Sequence, residues 1–70
     1  MGFDDNVEFE NVSVEKVHDA AVLCIIEGKK HWIPFSQIID DESEITKDSS
    51  RGDEGLLVVT EWICVEKGLV

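Results

Sequence analysis

The chain is short of positive charge. Six Lys and Arg residues stand against sixteen Asp and Glu, for a formal net charge of -10 over 70 residues. Binding to nucleic acid rests on neutralising phosphates, so this imbalance disfavours direct contact with DNA or RNA. It makes a basic protein surface the attractive partner instead, including one that normally holds nucleic acid. No apolar run approaches the roughly 18 residues of a membrane span. The opening MGFDDNVEFE is acidic and lacks an apolar segment, so it does not read as a secretory signal. Gly2 is present, but Asn6 stands where a myristoylation signal wants Ser or Thr. There are only two cysteines, Cys24 and Cys64, each inside apolar sequence. Reduced, buried thiols of a cytoplasmic protein in its host cell are expected, rather than a disulfide.

Motifs that carry chemistry are missing too. His18, His31, Cys24 and Cys64 lack the C-x₂-C and H-x₃₋₅-H spacings of a zinc site. Cys24 lies between Leu23 and Ile25, and Cys64 between Ile63 and Val65, so neither has the basic, open surroundings of a reactive thiol. The acidic run from Asp40 resembles a calcium loop in composition only. It has no glycine at the sixth place, and Arg51 stands where the bidentate glutamate belongs. No phosphate loop, dinucleotide fingerprint or nucleophile elbow occurs. A chain this short also struggles to enclose a substrate. The expectation is therefore a protein with no enzyme activity, no metal and no cofactor.

What is present is enough apolar residue for one small core, 43% of the chain. Residues 1–11 hold Asp4, Asp5, Glu8 and Glu10 and no base, and read as a loose acidic arm, with at most a short strand at Val7–Phe9. Residues 12–70 read as a single β-barrel-like domain. Alternation over Val12–Val17 predicts a half-buried strand. The run AAVLCII, residues 20–26, predicts a strand covered on both faces. Gly28 supplies the positive φ of a tight turn, and residues 29–33 return as a hairpin. Pro34, the chain's only proline, ends that ladder, and Ser36 is placed to cap a helical turn at Gln37–Ile39.

Residues 40–55 predict a long exposed acidic connection, with a brief strand around Ile45 at most. A buried strand follows at LLVV, residues 56–59. Thr60 as N-cap, Glu61 in the first turn, Lys67 near the end, Gly68 and then Leu69 predict a short helix over 60–68, with a strand at 61–65 as the alternative. The sum is a mainly β, α+β fold: a small antiparallel partial barrel of four to five strands, SH3-like or OB-like, with a C-terminal helix.

The candidate surface follows from charge. Asp40, Asp41, Glu42, Glu44, Asp53 and Glu54 would supply a steering field and rim contacts. Trp32 and Trp62 are expected in the core, with an anchor to a partner as the alternative for one of them. Phe35, just past Pro34 at a corner, is the better candidate for an exposed anchor. Lys30 is a rare cation on an acidic surface.

The stretches EGKKHWIPFSQI, DDESEI, GDEGLLVV, TEW and EKGL resemble a group of short proteins encoded by phages and prophages. Their shared pattern is W-I-P-x-S-x-I, D-D-S-E-V, G-D-x-G-x-L-V-V, E-W and a closing E-K-G-L. The resemblance runs from about Ala21 to Leu69. Phe35 departs from it, the group often having Lys there, and Glu42 is inserted between Asp41 and Ser43. The group has no assigned enzymatic activity, so the resemblance implies a setting more than a mechanism. It implies a phage setting, in which small acidic proteins resemble, as a class, anti-CRISPR and anti-restriction inhibitors. The first expectation is an acidic protein-interaction module that binds a basic host surface, such as that of a nucleic-acid-binding defence complex. A second is a single-stranded nucleic-acid-binding accessory of phage replication or recombination, using Lys29, Lys30, His31 and Trp32. A third is a homodimeric structural protein paired through sheet edges.

Overall fold

The computed structural model describes residues 6–69. Four strands, β1 (Asn6–Val17), β2 (Ala21–Ile26), β3 (Lys29–Pro34) and β4 (Glu54–Thr60), precede one helix, α1 (Glu61–Lys67). They form one antiparallel sheet in the order β3-β2-β1-β4. Three hairpin-linked strands and a fourth that returns beside the first make a Greek key. The mainly β fold with a short C-terminal helix is as the sequence predicts. Beyond β3, Ile38 bridges to Val59, and the Ile39 N–H donates to the Val58 carbonyl at 2.9 Å. The chain leaving β3 thus reaches the far side of β4 and closes the sheet in part, as a partial barrel.

The longest strand is where the sequence reading fails. Residues 6–11 are not an arm: they are the first half of β1, paired with β4 from Asn6–Thr60 to Phe9–Leu57. The rest of that expected arm, residues 1–5, lies outside the described residues. Val7 and Phe9 pack on the core at odd positions, whereas Val12 and Val14 are buried at even ones. A bulge between Phe9 and Val12, with Asn11 at φ 58°, absorbs the change of parity. Asn tolerates the left-handed region better than most residues. A second bulge lies between Val14 and Lys16.

The β2–β3 hairpin turns through Glu27 (φ 52°) and Gly28 (φ 83°), the two positive φ angles of a tight turn that follows strand twist. In β2 only Val22, Cys24 and Ile26 are buried; Ala21, Leu23 and Ile25 are half-buried. The expected cover on both faces is therefore absent from one of them. The turn after β3 is a 3₁₀ turn at Phe35–Gln37, earlier than predicted. Ser36 does not cap it; Pro34 holds the N-cap position with no side-chain bond.

α1 begins and ends as its residues predict. Thr60 accepts from the Ile63 N–H, and Gly68, at φ 71°, is left-handed. Gly68 N–H donates to the Val65 carbonyl and Leu69 N–H to that of Cys64, the double bond of a Schellman end. Leu69 folds back on the core. Thr60→Ala is expected to cost about 1 kcal/mol in urea denaturation, because it strips the cap from the first turn.

One core cluster draws on every element: Val12, Val14, Val22, Cys24, Ile33, Leu57, Val59, Ile63 and Cys64 are among its members. It also takes in Ile45, from the connection expected to be exposed. Residues 44–46 are not a strand, but the Glu44 and Ile45 N–H groups both donate to the Leu56 carbonyl, at 2.8 and 3.1 Å.

Candidate functional site

The acidic residues divide into two groups by what holds them. Asp40, Asp41 and Glu42 are exposed on a tight turn whose Glu42 and Ser43 N–H groups return to the Ile39 carbonyl. Buried Ile38 precedes the turn and buried Ser43 and Ile45 follow it. Three consecutive carboxylates therefore project from a segment that is pinned at both ends. None of them takes part in the ion pair or the side-chain hydrogen bonds found among the described residues.

Glu44, Asp53 and Glu54 have structural work. Glu44 reaches across Gly55, and its Oε1 accepts from the Leu56 N–H at 2.7 Å. A Cβ at residue 55 would lie 2.6 Å from that oxygen and 3.2 Å from the Glu44 Cβ, so a larger residue there would push the Glu44 carboxylate off this crossing. Asp53 accepts from the Ser50 N–H at 2.8 Å, and its carbonyl accepts from the Val14 N–H. Glu54 accepts from the Ser13 hydroxyl at 3.3 Å. Ser43 Oγ completes the seal on β4: it accepts from the Val58 N–H at 3.1 Å and donates to the Ile45 carbonyl at 2.7 Å. The outer edge of β4 is thus covered by backbone and side-chain partners from residues 38–45.

Glu8 and Glu10, read from the sequence as part of a loose acidic arm, are the acids left out of the candidate surface. With Asn11, Glu44, Gly55 and Leu56 they line an open groove of about 400 Å³ between β1 and the 44–46 segment. Their spacing of two along one strand was visible. Their nearness to Glu44 depends on the β1–β4 pairing, which no local signal announces.

The apolar candidates change places. Phe35 is half-buried and packs against the core, so the anchor expected there is corrected. Both tryptophans, expected in the core, are exposed: Trp32 by 39% and Trp62 by 53%. On α1, Trp62 is joined three residues on by Val65, 64% exposed, so the two share a face of the helix. Trp32 meets the His18 ring edge-on, with centroids 5.4 Å apart and planes at 88°. His18, Ala20, Ala21 and Trp32 line a second surface cavity of about 240 Å³. Lys30 lies 3.9 Å from the Glu15 carboxylate, a solvent-exposed pair of little energetic weight.

Cys24 and Cys64 are free and buried. Burial pushes the Cys24 thiol up to about 11 and raises Cys64 as well, with the Glu61 charge adding to the second. Neither has the lowered pKa of a nucleophile. Among the described residues, no group of three or more His, Cys, Asp or Glu side chains is arranged to hold a metal ion, and no helix is long and apolar enough to cross a membrane. No protein-family model, curated protein or solved structure matches the chain.

Proposed function

We propose that this chain is an acidic interaction module, of phage origin, that binds the basic surface of a host protein and acts as an inhibitor of a nucleic-acid-binding defence complex. The observation that carries the reading is the groove in which Glu8, Glu10 and Glu44 converge, with the exposed turn of Asp40, Asp41 and Glu42 just before Glu44 in the chain. Lys and Arg side chains of a partner suit such a groove, and the net charge of -10 steers a basic surface toward it. Trp62 and Val65 replace Phe35 as the apolar anchor, since large exposed aromatics concentrate binding energy where they meet a pocket.

The experiment is capture from a bacterial host lysate on the immobilised chain, repeated at rising salt. A basic protein is expected at low salt and is released as salt screens the field. Glu8→Lys with Glu42→Lys should abolish capture while leaving the urea midpoint nearly unchanged, because both side chains are exposed. A lysate that yields no partner at low salt refutes the reading.

A further inference from the structure

The two outer strands of the sheet are treated differently. β4 is sealed along its outer side, whereas β3 pairs only with β2 among the described residues. Which of its groups are free follows from the register. The Phe35 N–H donates to the Ala20 carbonyl at 3.0 Å, in line with the pairing of Ala21 with Pro34. Bonded and non-bonded pairs alternate in an antiparallel ladder. The bonded pairs are therefore Val22–Ile33, Cys24–His31 and Ile26–Lys29. Lys30, Trp32 and Pro34 turn their backbone groups outward. Pro34 fits this assignment, having no N–H to lose on the outer side. The free edge thus offers the N–H and C=O of Lys30 and Trp32, while the Pro34 carbonyl is taken up by the 3₁₀ turn that it caps.

The side chains of these three residues share the face of the sheet opposite the core, because their partners Ile25, Leu23 and Ala21 alternate with buried Cys24 and Val22. On that face the Trp32 cavity lies at one end and Lys30 two residues along. Lysine and proline are residues that guard an edge against self-pairing. A second copy of β3 would bring more lysine to Lys29 and Lys30, and a second net charge of -10 with it. Lys30, held only weakly by its exposed pair with Glu15 at 3.9 Å, favours a strand that carries carboxylate.

We propose that the β3 edge is a docking site for an extended acidic segment of a partner protein, which adds to the sheet as a further strand. The new strand bonds to the Lys30 and Trp32 backbone. It sets a carboxylate beside Lys30 and, two positions away on the same face, an apolar side chain into the cavity of Trp32, Ala20, Ala21 and His18. Main-chain bonds supply affinity and the cavity supplies selectivity, as in other strand-addition sites. An oligonucleotide meets the same cations but carries a charge on every phosphate against a net -10, and has no N–H and C=O alternation to pair.

The test is amide hydrogen exchange read by NMR, with the peptide acetyl-Thr-Val-Thr-Glu-Thr-amide as probe. In the free chain the Lys30 and Trp32 amides should exchange fast, and those of His31 and Ile33 slowly. Saturating peptide should protect Lys30 and Trp32. Lys30→Glu should weaken binding roughly tenfold, and Trp32→Ala should remove the preference for Val over Ala in the peptide. Four results would each overturn the proposal: no protection at millimolar peptide, equal binding when Lys replaces the peptide's Glu, protection of the same amides by oligothymidine, or amides already protected in a free chain that sediments as a dimer.

Discussion

Ile45→Ala is expected to destabilise the chain by about 2–5 kcal/mol, the range for truncating a buried isoleucine. Ile45 is 1% exposed and belongs to the core cluster, although its neighbours are Glu44 and Thr46. It cannot readily collapse into the space it leaves, because its backbone is held on both sides. Its N–H donates to the Leu56 carbonyl and its own carbonyl accepts from Ser43 Oγ. Ser43 in turn satisfies the Val58 N–H inside the sheet. A chain of 70 residues has a total stability of only about 3–10 kcal/mol, so the loss is a large share of it. Urea denaturation should show a midpoint far below that of the wild type at a similar slope. Lys47→Ala, at an exposed position two residues on, should stay within about 0.5 kcal/mol. If the two variants have equal midpoints, Ile45 does not anchor the loop. The consequence reaches function, since the carboxylates of Asp40, Asp41 and Glu42 are presented by a turn that Ile45 helps to pin.

That anchor shows why parts of the fold were legible in sequence and parts were not. The β2–β3 hairpin and α1 announce themselves locally: Gly28 in its turn, Thr60 and Gly68 at the helix ends. Their signals sit within a few residues of the structure they specify. β1 hides because its core residues fall at Val7 and Phe9, then at Val12 and Val14. No single period of two fits both pairs, and only the bulge at Asn11 reconciles them. Ile45 hides because one apolar residue in an acidic stretch has no period at all; its burial is decided by pairing with Leu56, eleven positions on. The tryptophans mislead for the opposite reason. Their size argues for the core, yet the buried positions beside them are filled by Ile33, one residue after Trp32, and by Ile63 and Cys64, one and two residues after Trp62. Of the candidate surface, the acids of residues 40–54 were readable as a charge run. Which of them are held in place by Leu56, Ser50 and Ser13, and which project without such a bond, depended on contacts made after folding.

Alkaline pH is expected to destabilise the chain through Cys24, by roughly 3 kcal/mol between pH 9.0 and about 11. Burial favours the neutral thiol, so the folded state holds its proton up to about 11, whereas the unfolded chain releases it from 9.0. Between those values the unfolded state binds fewer protons, and stability falls as pH rises. Below 9.0 both states keep the proton and the term is constant; above about 11 both have lost it and the decline stops. Cys64 acts in the same direction, from its own burial and from the charge of Glu61. Urea midpoints at neutral pH, near pH 9.0 and near pH 11 separate this from deprotonation of lysines, when the wild type is compared with Cys24→Ala. The variant should be less stable than the wild type at neutral pH, because it leaves a void between Val22 and Ile26 in the core. It should also lose less on the way to pH 11, so that the two curves converge. Parallel curves would mean that the Cys24 thiol is not held neutral by the fold. Convergence would also explain why two cysteines can persist in the centre of this core without reactivity: the same burial that packs them withholds the thiolate on which thiol chemistry depends.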